Sequence, residues 1–364
     1  LLGFVSVLAT LGLSQARGPA PSRPLDWIFL AMIVAGVILT VASRGRVALV
    51  TTVGITGFSV ALVFFSLGAA DVALTQMLVE ILTVVMMVML LVRLPEGFHP
   101  SSTARRTIAA VVALAVAGVG FLLACLVTAQ DHASATGGWF LGNAMDLTGG
   151  GNVVNTILVD FRALDTLGEL TALGMAGICV VVSLQARGLL PMPDAPAPGA
   201  TTSAAHGAKD NTLTLRAADR VLVPLLLAMA LWFYLRGHQQ PGGGFIAALV
   251  ASAALCLVYL AAHDDSVSRL RGSGTRLIGW GIGVAVATGI ANLVQTGSFL
   301  QPVKTYVLGT GLSSVLIFDL GVLLTVLGLS LVALSTLGRP TESSPLRRRG
   351  RVNVANAPTK RKEV

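Results

Sequence analysis

Apolar runs of about 20 residues, broken by short charged or Gly/Pro-bearing stretches, follow one another along almost the whole chain. That length lets an α-helix cross the hydrocarbon core of a bilayer. The pattern predicts a partial span at 1–13 and full spans near 25–42, 47–66, 72–92, 107–128, 165–184, 219–235, 241–262, 275–294 and 311–336. The expected fold class is all-α: a polytopic transmembrane helical bundle of about nine full spans plus one truncated first helix. Residues 152–161 are short and amphipathic, and read as an interfacial helix or a lead-in to the span after them. The first run has no Met, no charged start and no small-residue cleavage site, so a signal peptide does not fit. The expectation is a sequence cut from a longer polypeptide, part-way through a helix.

One stretch breaks the pattern. Residues 186–212 are rich in Pro, Ala, Gly, Ser and Thr and cannot bury enough apolar surface to fold. Read as a linker, they divide the chain into a front region (1–185), a rear four-helix module (213–338) and a basic tail (339–364).

Composition agrees with the pattern. Charged residues make up 12% of the chain and apolar ones 54%, whereas soluble domains carry about 25% charge. The net charge of +8 comes mostly from the tail, where eight Lys/Arg face two Glu. A nucleic-acid partner is therefore a poor inference, and a cytoplasmic tail near anionic lipid explains the charge. Alternate loops carry Arg44/Arg46, Arg93/Arg105/Arg106, Arg187/Lys209/Arg216 and Arg269/Arg271/Arg276, while the opposite set carries only Arg17/Arg23, Arg236 and Lys304. By the positive-inside rule the first set and the carboxy terminus are cytoplasmic, in a multi-pass protein of the bacterial inner membrane. Cys125, Cys179 and Cys256 all fall in apolar runs and read as packing residues. No His, Cys and carboxylate set has metal-ligand spacing, and no phosphate loop or G-x-S-x-G elbow is present. Neither an enzyme nor a bound cofactor is expected.

The chemistry lies in acids where lipid is expected. Glu80 sits inside the run from Asp71 to Val92, and a carboxylate at that depth costs roughly 2.5–3.5 kcal/mol on insertion scales. Gln76 and Thr83 lie about one turn to either side, on the same helical face. Such a site can hold a proton, a water chain or Na⁺; the competing reading is an ion pair that serves assembly alone. Asp165 and Glu169 are four residues apart, so their like charges meet on one face unless a proton or transient Na⁺ sits between them. They equally suit an acid-rich first helical turn, with Arg162 as counter-charge. Asp319, well inside the last span, fits transport or interhelical bonding. Asp71 at a helix mouth reads as an N-cap. His238, Pro241, Gly242, Gly243, Gly244 and Phe245 form a turn between two rear spans. There Pro241 suits the first turn of a helix and the glycines allow close backbone approach.

The strings ADVALTQMLVEILTVV (70–85) and NVVNTILVDFRALDTLGELTAL (152–173) resemble the carboxy-terminal region of the A-type protein of Mrp-type multisubunit Na⁺/H⁺ antiporters. RGHQQPGGGFIAALVASAALCLVYL (236–260) and VLIFDLGVLLTVLG (315–328) resemble the B-type (MnhB-like) protein of the same complexes. The resemblance implies an A-type tail fused to a B-type module, with an antiporter-like amino-terminal part lying upstream. It further implies a proton-driven exchange of Na⁺ (or K⁺ or Li⁺) for H⁺ that needs other subunits as partners. It also implies kinship of the front region with a small core component of respiratory complex I and with membrane-bound hydrogenase subunits. Importance is implied for Glu80, Asp165, Glu169, Pro241 and Phe245. The chain departs from the resemblance at Gln239-Gln240 and Ala247-Ala248. A purely structural subunit, or the membrane arm of a related hydrogenase or dehydrogenase, are the alternatives.

Overall fold

The apolar runs fold as helices in the computed structural model, which describes residues 24–43, 45–91, 102–128, 134–186, 212–261, 273–307 and 310–337. In chain order these are α1 (Pro24–Ala42), α2 (Arg46–Ser66), α3 (Ala70–Leu91), α4 (Thr103–Thr128), α5 (Ala135–Thr148), the short α6 (Val153–Thr156), α7 (Ala163–Ala186), α8 (Thr212–Arg236), α9 (Gly244–Ala261), α10 (Ser273–Thr296) and α11 (Val315–Leu337). Among the described residues, α1 to α4, α7, α10 and α11 are the seven helices long and apolar enough to cross a membrane. The expected rear spans 219–235 and 241–262 correspond to α8 and to α9, which is apolar over the shorter stretch Gly244–Tyr259. The truncated helix 1–13, the interior of the linker, the basic tail and the loop residues Arg17, Arg23, Arg44, Arg93, Arg187, Lys209, Arg269 and Arg271 lie outside the described residues.

Three local features differ from the expectation, and a fourth decides between two expected alternatives. The stretch 129–151 holds helix α5, capped at its start by Ser134, whose hydroxyl accepts from the Gly137 N–H at 3.2 Å, and ended by left-handed Gly149. Both are ordinary cap signals, but this helix is short and broken by polar residues, so no span-length run marks it. Residues 152–161 form α6 followed by a π-helical turn, Ile157–Phe161. This segment is a lead-in to α7, not an interfacial helix: Thr156 and Val159 are buried in the bundle. Helix α9 begins at Gly244, so Pro241 lies ahead of its first turn; Gly243, at φ +102°, takes a left-handed conformation that keeps the helix from starting sooner. A β-hairpin, Lys304–Val307 paired antiparallel with Thr310–Ser313, precedes α11 and is the one pair of strands among the described residues.

Helix α11 is the axis of the packing, with 61% of its span buried. It lies against α10, α9, α7 and α3. Glycines set its closest contact. A Cβ on Gly281 would stand 2.6 Å from the Gly321 carbonyl oxygen, and one on Gly328 would stand 2.7 Å from that of Gly274. The two pairs run antiparallel at the same seven-residue interval, so α10 and α11 meet backbone to backbone, as small residues permit in lipid.

The linker does not divide the core. Val159, Ala163 and Leu170 from the front region pack in one cluster with Ala248, Leu249, Phe318 and Val322 from the rear. By contrast, among the described residues of α4 none is buried.

Candidate functional site: acids at the junction of front and rear helices

The turn between α8 and α9 is built first by Arg236. Its guanidinium stacks 3.8 Å over the Trp232 ring and donates through Nε to the Pro241 carbonyl at 2.9 Å. That folds residues 237–243 back on the helix end, where the Gly243 N–H donates to the Phe233 carbonyl at 2.9 Å. A Cβ on Gly237 would run into the Gly243 backbone, so the turn closes only with glycine there.

The turn then docks on the front region. The Asn152 amide donates to the Gly237 and Gln240 carbonyls at 3.2 and 3.1 Å and to Asp71 Oδ1 at 3.3 Å. Gln239 donates to the Gly149 carbonyl at 2.8 Å and accepts from the Gly151 N–H at 3.0 Å. Asp71 is not an N-cap. It lies inside the first turn of α3, and its Oδ1 also accepts the Gly242 N–H at 3.1 Å, tying α3 to the rear module. Asn152→Leu removes several buried bonds at this junction. We expect it to cost the assembled protein about 1–3 kcal/mol, read as a drop of several degrees in thermal unfolding of the detergent-purified protein with its partners.

Below this seam lies a cavity of about 250 Å³, lined by Asp71 and Thr75 of α3, Asn155, Thr166 and Glu169 from the α6–α7 region, Gly242–Phe245, and Asp319 of α11. Asp319 is 4% exposed, and its Oδ2 accepts the Gly244 N–H at 3.1 Å. Gly244 allows this, because any Cβ there would collide with the Asp319 backbone carbonyl. Phe245 packs against the shared core beside the cavity.

The other sequence-derived residues are placed as follows. Both acids are exposed; Glu169 lies at the edge of the cavity, whereas Asp165 does not line it and is ion-paired with Arg162. Glu80 lies about 14 Å along α3 from Asp71 at 1.5 Å per residue. Its carboxylate is held against α2, directly over the position a Cβ of Gly57 would occupy. Gln76 is half-buried, whereas Thr83 is exposed and so does not share Glu80's environment. His238 is half-buried, with Nδ1 3.8 Å from Oδ2 of Asp160, whose side chain is only 2% exposed, and Nε2 3.5 Å from the Thr148 carbonyl oxygen. No group of three or more His, Cys, Asp or Glu poised to hold a metal ion occurs among the described residues.

Sequence reasoning passed over Asn152, Asn155 and Asp160. The first left a signal, since Asn152 caps α6 by accepting the Asn155 N–H at 3.3 Å, an N-cap spacing. Asp160 sits on the π-helical turn, closed by the Arg162 N–H donating to the Ile157 carbonyl at 2.8 Å. Such turns cluster at functional sites, but nothing in the residue order announces one.

Comparison with known proteins follows the same geography. Three family models match in sequence order: MbhD, a component of MBH, over residues 31–96; MbhE, a second component of MBH, over 104–196; and a domain related to the MnhB subunit of Na⁺/H⁺ antiporter over 214–332. The B-type protein of the Na⁺/H⁺ antiporter from Alkalihalophilus pseudofirmus is 33% identical over 135 residues, 35% of this chain and 94% of that protein. The chain belongs to the family of Mrp-type antiporter subunits. Its order, an A-type region followed by a B-type module, also occurs in the probable A/B-type K⁺/H⁺ antiporter protein of Rhizobium meliloti, 30% identical over 90% of this chain and 36% of that one. In the solved Mrp complex from Dietzia sp. DQ12-45-1b one polypeptide is similar at 44% identity and TM-score 0.81, over 94% of this chain and 38% of that one. This Mrp-type chain thus spans little more than a third of these longer relatives. Its junction cavity draws residues from the segments matched by all three family models.

Proposed function

We propose that the chain is the membrane part of a secondary transporter, a proton-driven monovalent cation antiporter that works with further subunits. Glu80 acts as a protonatable relay at mid-membrane depth, and Asp165 and Glu169 draw the cation or proton to the outer mouth. The Pro241–Phe245 turn locks the B-type module onto the A-type region. The observation that carries this reading is Glu80 itself: a carboxylate pressed between two apolar helices, α2 and α3, with a glycine cleared beneath it. An acid kept there at a cost of several kcal/mol is functional by default. Alternate occupancy of the carboxylates by H⁺ and cation then couples the two fluxes, driven by about 2.3 kcal/mol per charge per 100 mV of membrane potential. The positive-inside loops orient the carboxy terminus to the cytoplasm. Na⁺ is the cation of this reading, with K⁺ the alternative, since both ions appear in the names of relatives.

The test uses everted vesicles that hold the whole complex with this chain. After a proton gradient is set up, adding Na⁺ or K⁺ is expected to dissipate it, and vesicles from cells lacking the chain are expected to show no response. A response that appears only with an electron donor present would instead place the chain in a redox-driven complex.

A further inference from the structure

Two acceptors bracket the His238 imidazole where the rear turn docks. Nε2 stands 3.5 Å from the Thr148 carbonyl oxygen at the end of α5, and Nδ1 stands 3.8 Å from Asp160 Oδ2 on the π-helical turn. Gly150 closes the slot around the ring: a Cβ there would stand 2.8 Å from Nε2 and 2.9 Å from the His238 carbonyl oxygen. A carbonyl oxygen and an ionised carboxylate only accept, and a neutral imidazole has one N–H to give, whereas an imidazolium has two. The ring therefore offers a donor to both neighbours only when it carries the extra proton. Asp160 points the same way. Its side chain is 2% exposed, and a buried carboxylate is costly unless a positive group meets it. His238 keeps 16% of its side chain exposed, which leaves the ring open to protons from water.

We propose that His238 is a proton-binding site that latches the B-type turn onto the A-type region, with Asp160 as its counter-charge. The same residue carries the docking through its backbone: the His238 carbonyl accepts the Asn152 N–H at 3.2 Å, and the neighbouring Gln239 bonds to Gly149 and Gly151. Protonation of the ring adds a charge-assisted contact across this joint, and loss of the proton removes it. The other charged groups around the turn hold contacts of their own or face outward. Asp71 of α3 accepts from Asn152 and Gly242, and Asp319 of α11 accepts from Gly244. Arg236 donates to Pro241 and Gln240, and Arg162 pairs with Asp165. Asp146 of α5 and Glu169 of α7 are exposed. Docking is tightest where His238 is protonated, and it loosens as pH rises through the range in which imidazole ordinarily titrates, about pH 5–8. The same turn sets Gly242 and Gly244 against Asp71 and Asp319, so a loosened latch slackens the junction acids as well. With the carboxy terminus cytoplasmic, the turn and α5 lie on the outer side, and the latch reads the outer pH. It goes beyond the antiporter reading and stands without it.

Hydrogen–deuterium exchange on the purified whole complex tests the latch, with the protection of amides in 149–156 and 237–243 corrected for the intrinsic exchange rate at each pH. In the wild type, that protection is expected to fall on the order of tenfold between about pH 6 and pH 8, the low end for a contact with a charged group. His238→Gln presents the same side chain at every pH and is expected to flatten the profile, as is the nearly isosteric Asp160→Asn. The exposed Asp146→Asn is expected to keep the wild-type profile. Wild-type protection that stays constant across this range overturns the latch by itself, whether or not the variants assemble. So does a wild-type profile in an assembled His238→Gln or Asp160→Asn complex. Exchange is read without added cation or a proton gradient, so either result leaves the antiporter reading standing. Absence of cation-linked proton movement sinks that reading and leaves the latch in place.

Discussion

Replacing Glu80 with Gln is expected to abolish cation-dependent proton movement in vesicles while the complex assembles at its normal level. Gln keeps the shape of the side chain over Gly57 but cannot take up and release a proton. Its neutral amide is also easier to hold between apolar helices than an ionised acid. The loss should be on the order of a hundredfold or more, the scale on which removing a positioned proton-transfer group acts. A companion change separates position from charge. Gly57→Leu leaves the acid in place but fills the space where its carboxylate now lies, and is expected to cause a comparable loss. If Glu80→Gln instead left activity intact, Glu80 would be removed from the mechanism. If it lost assembly and not turnover, the acid would be interhelical glue and the chain a structural component.

The second large effect is expected at the seam between α10 and α11. In Gly321→Val, the new Cβ would stand 2.7 Å from the Gly281 carbonyl oxygen and 3.0 Å from the Ala285 nitrogen. Both are backbone atoms and cannot turn aside as a side chain could. Overpacking of this kind costs about 1–3 kcal/mol, and more where the backbone cannot yield. Because α11 also carries Asp319 and touches the front region, the damage spreads beyond one helix pair. The amount of assembled complex on a native gel is expected to fall roughly tenfold, as about 1.4 kcal/mol implies. Gly279→Val on α10 is the control. Nothing lies within 4 Å of its added Cβ, so assembly should be unaffected. Equal loss in both variants would mean that helix propensity, not the seam, sets the effect.

The cost of charge in lipid explains which parts were legible. Glu80, Asp319 and the Asp165–Glu169 pair stand out because each interrupts or borders a run that is otherwise apolar, and that contrast survives without coordinates. The long spans were legible for the same reason. Helix α5 was not, although Ser134 and Gly149 cap it, because a 14-residue helix with polar positions resembles a loop in a search for spans. Asp71 looked like a cap because its position at a helix start is local information. Its actual bonds, to Gly242 and Asn152, cross 171 and 81 residues of chain. The grouping of Asp165 with Glu169 also followed from helical spacing, yet the two side chains face different surroundings: Arg162 for one, the cavity for the other.

By itself the sequence determined that this is a helical membrane protein of the Mrp type, and which acids stand where a charge is costly. Hydrophobic run length and the identity of each residue are properties of the chain alone, and the bilayer acts on them directly. Only the tertiary structure decided which acids share a space. Asp71, Glu169 and Asp319 come from helices far apart in the chain and meet because glycines at 242–244 let the B-type turn lie against α3 and α11. That meeting depends on backbone-to-backbone approach across the linker, and no local pattern of apolar and polar residues encodes it.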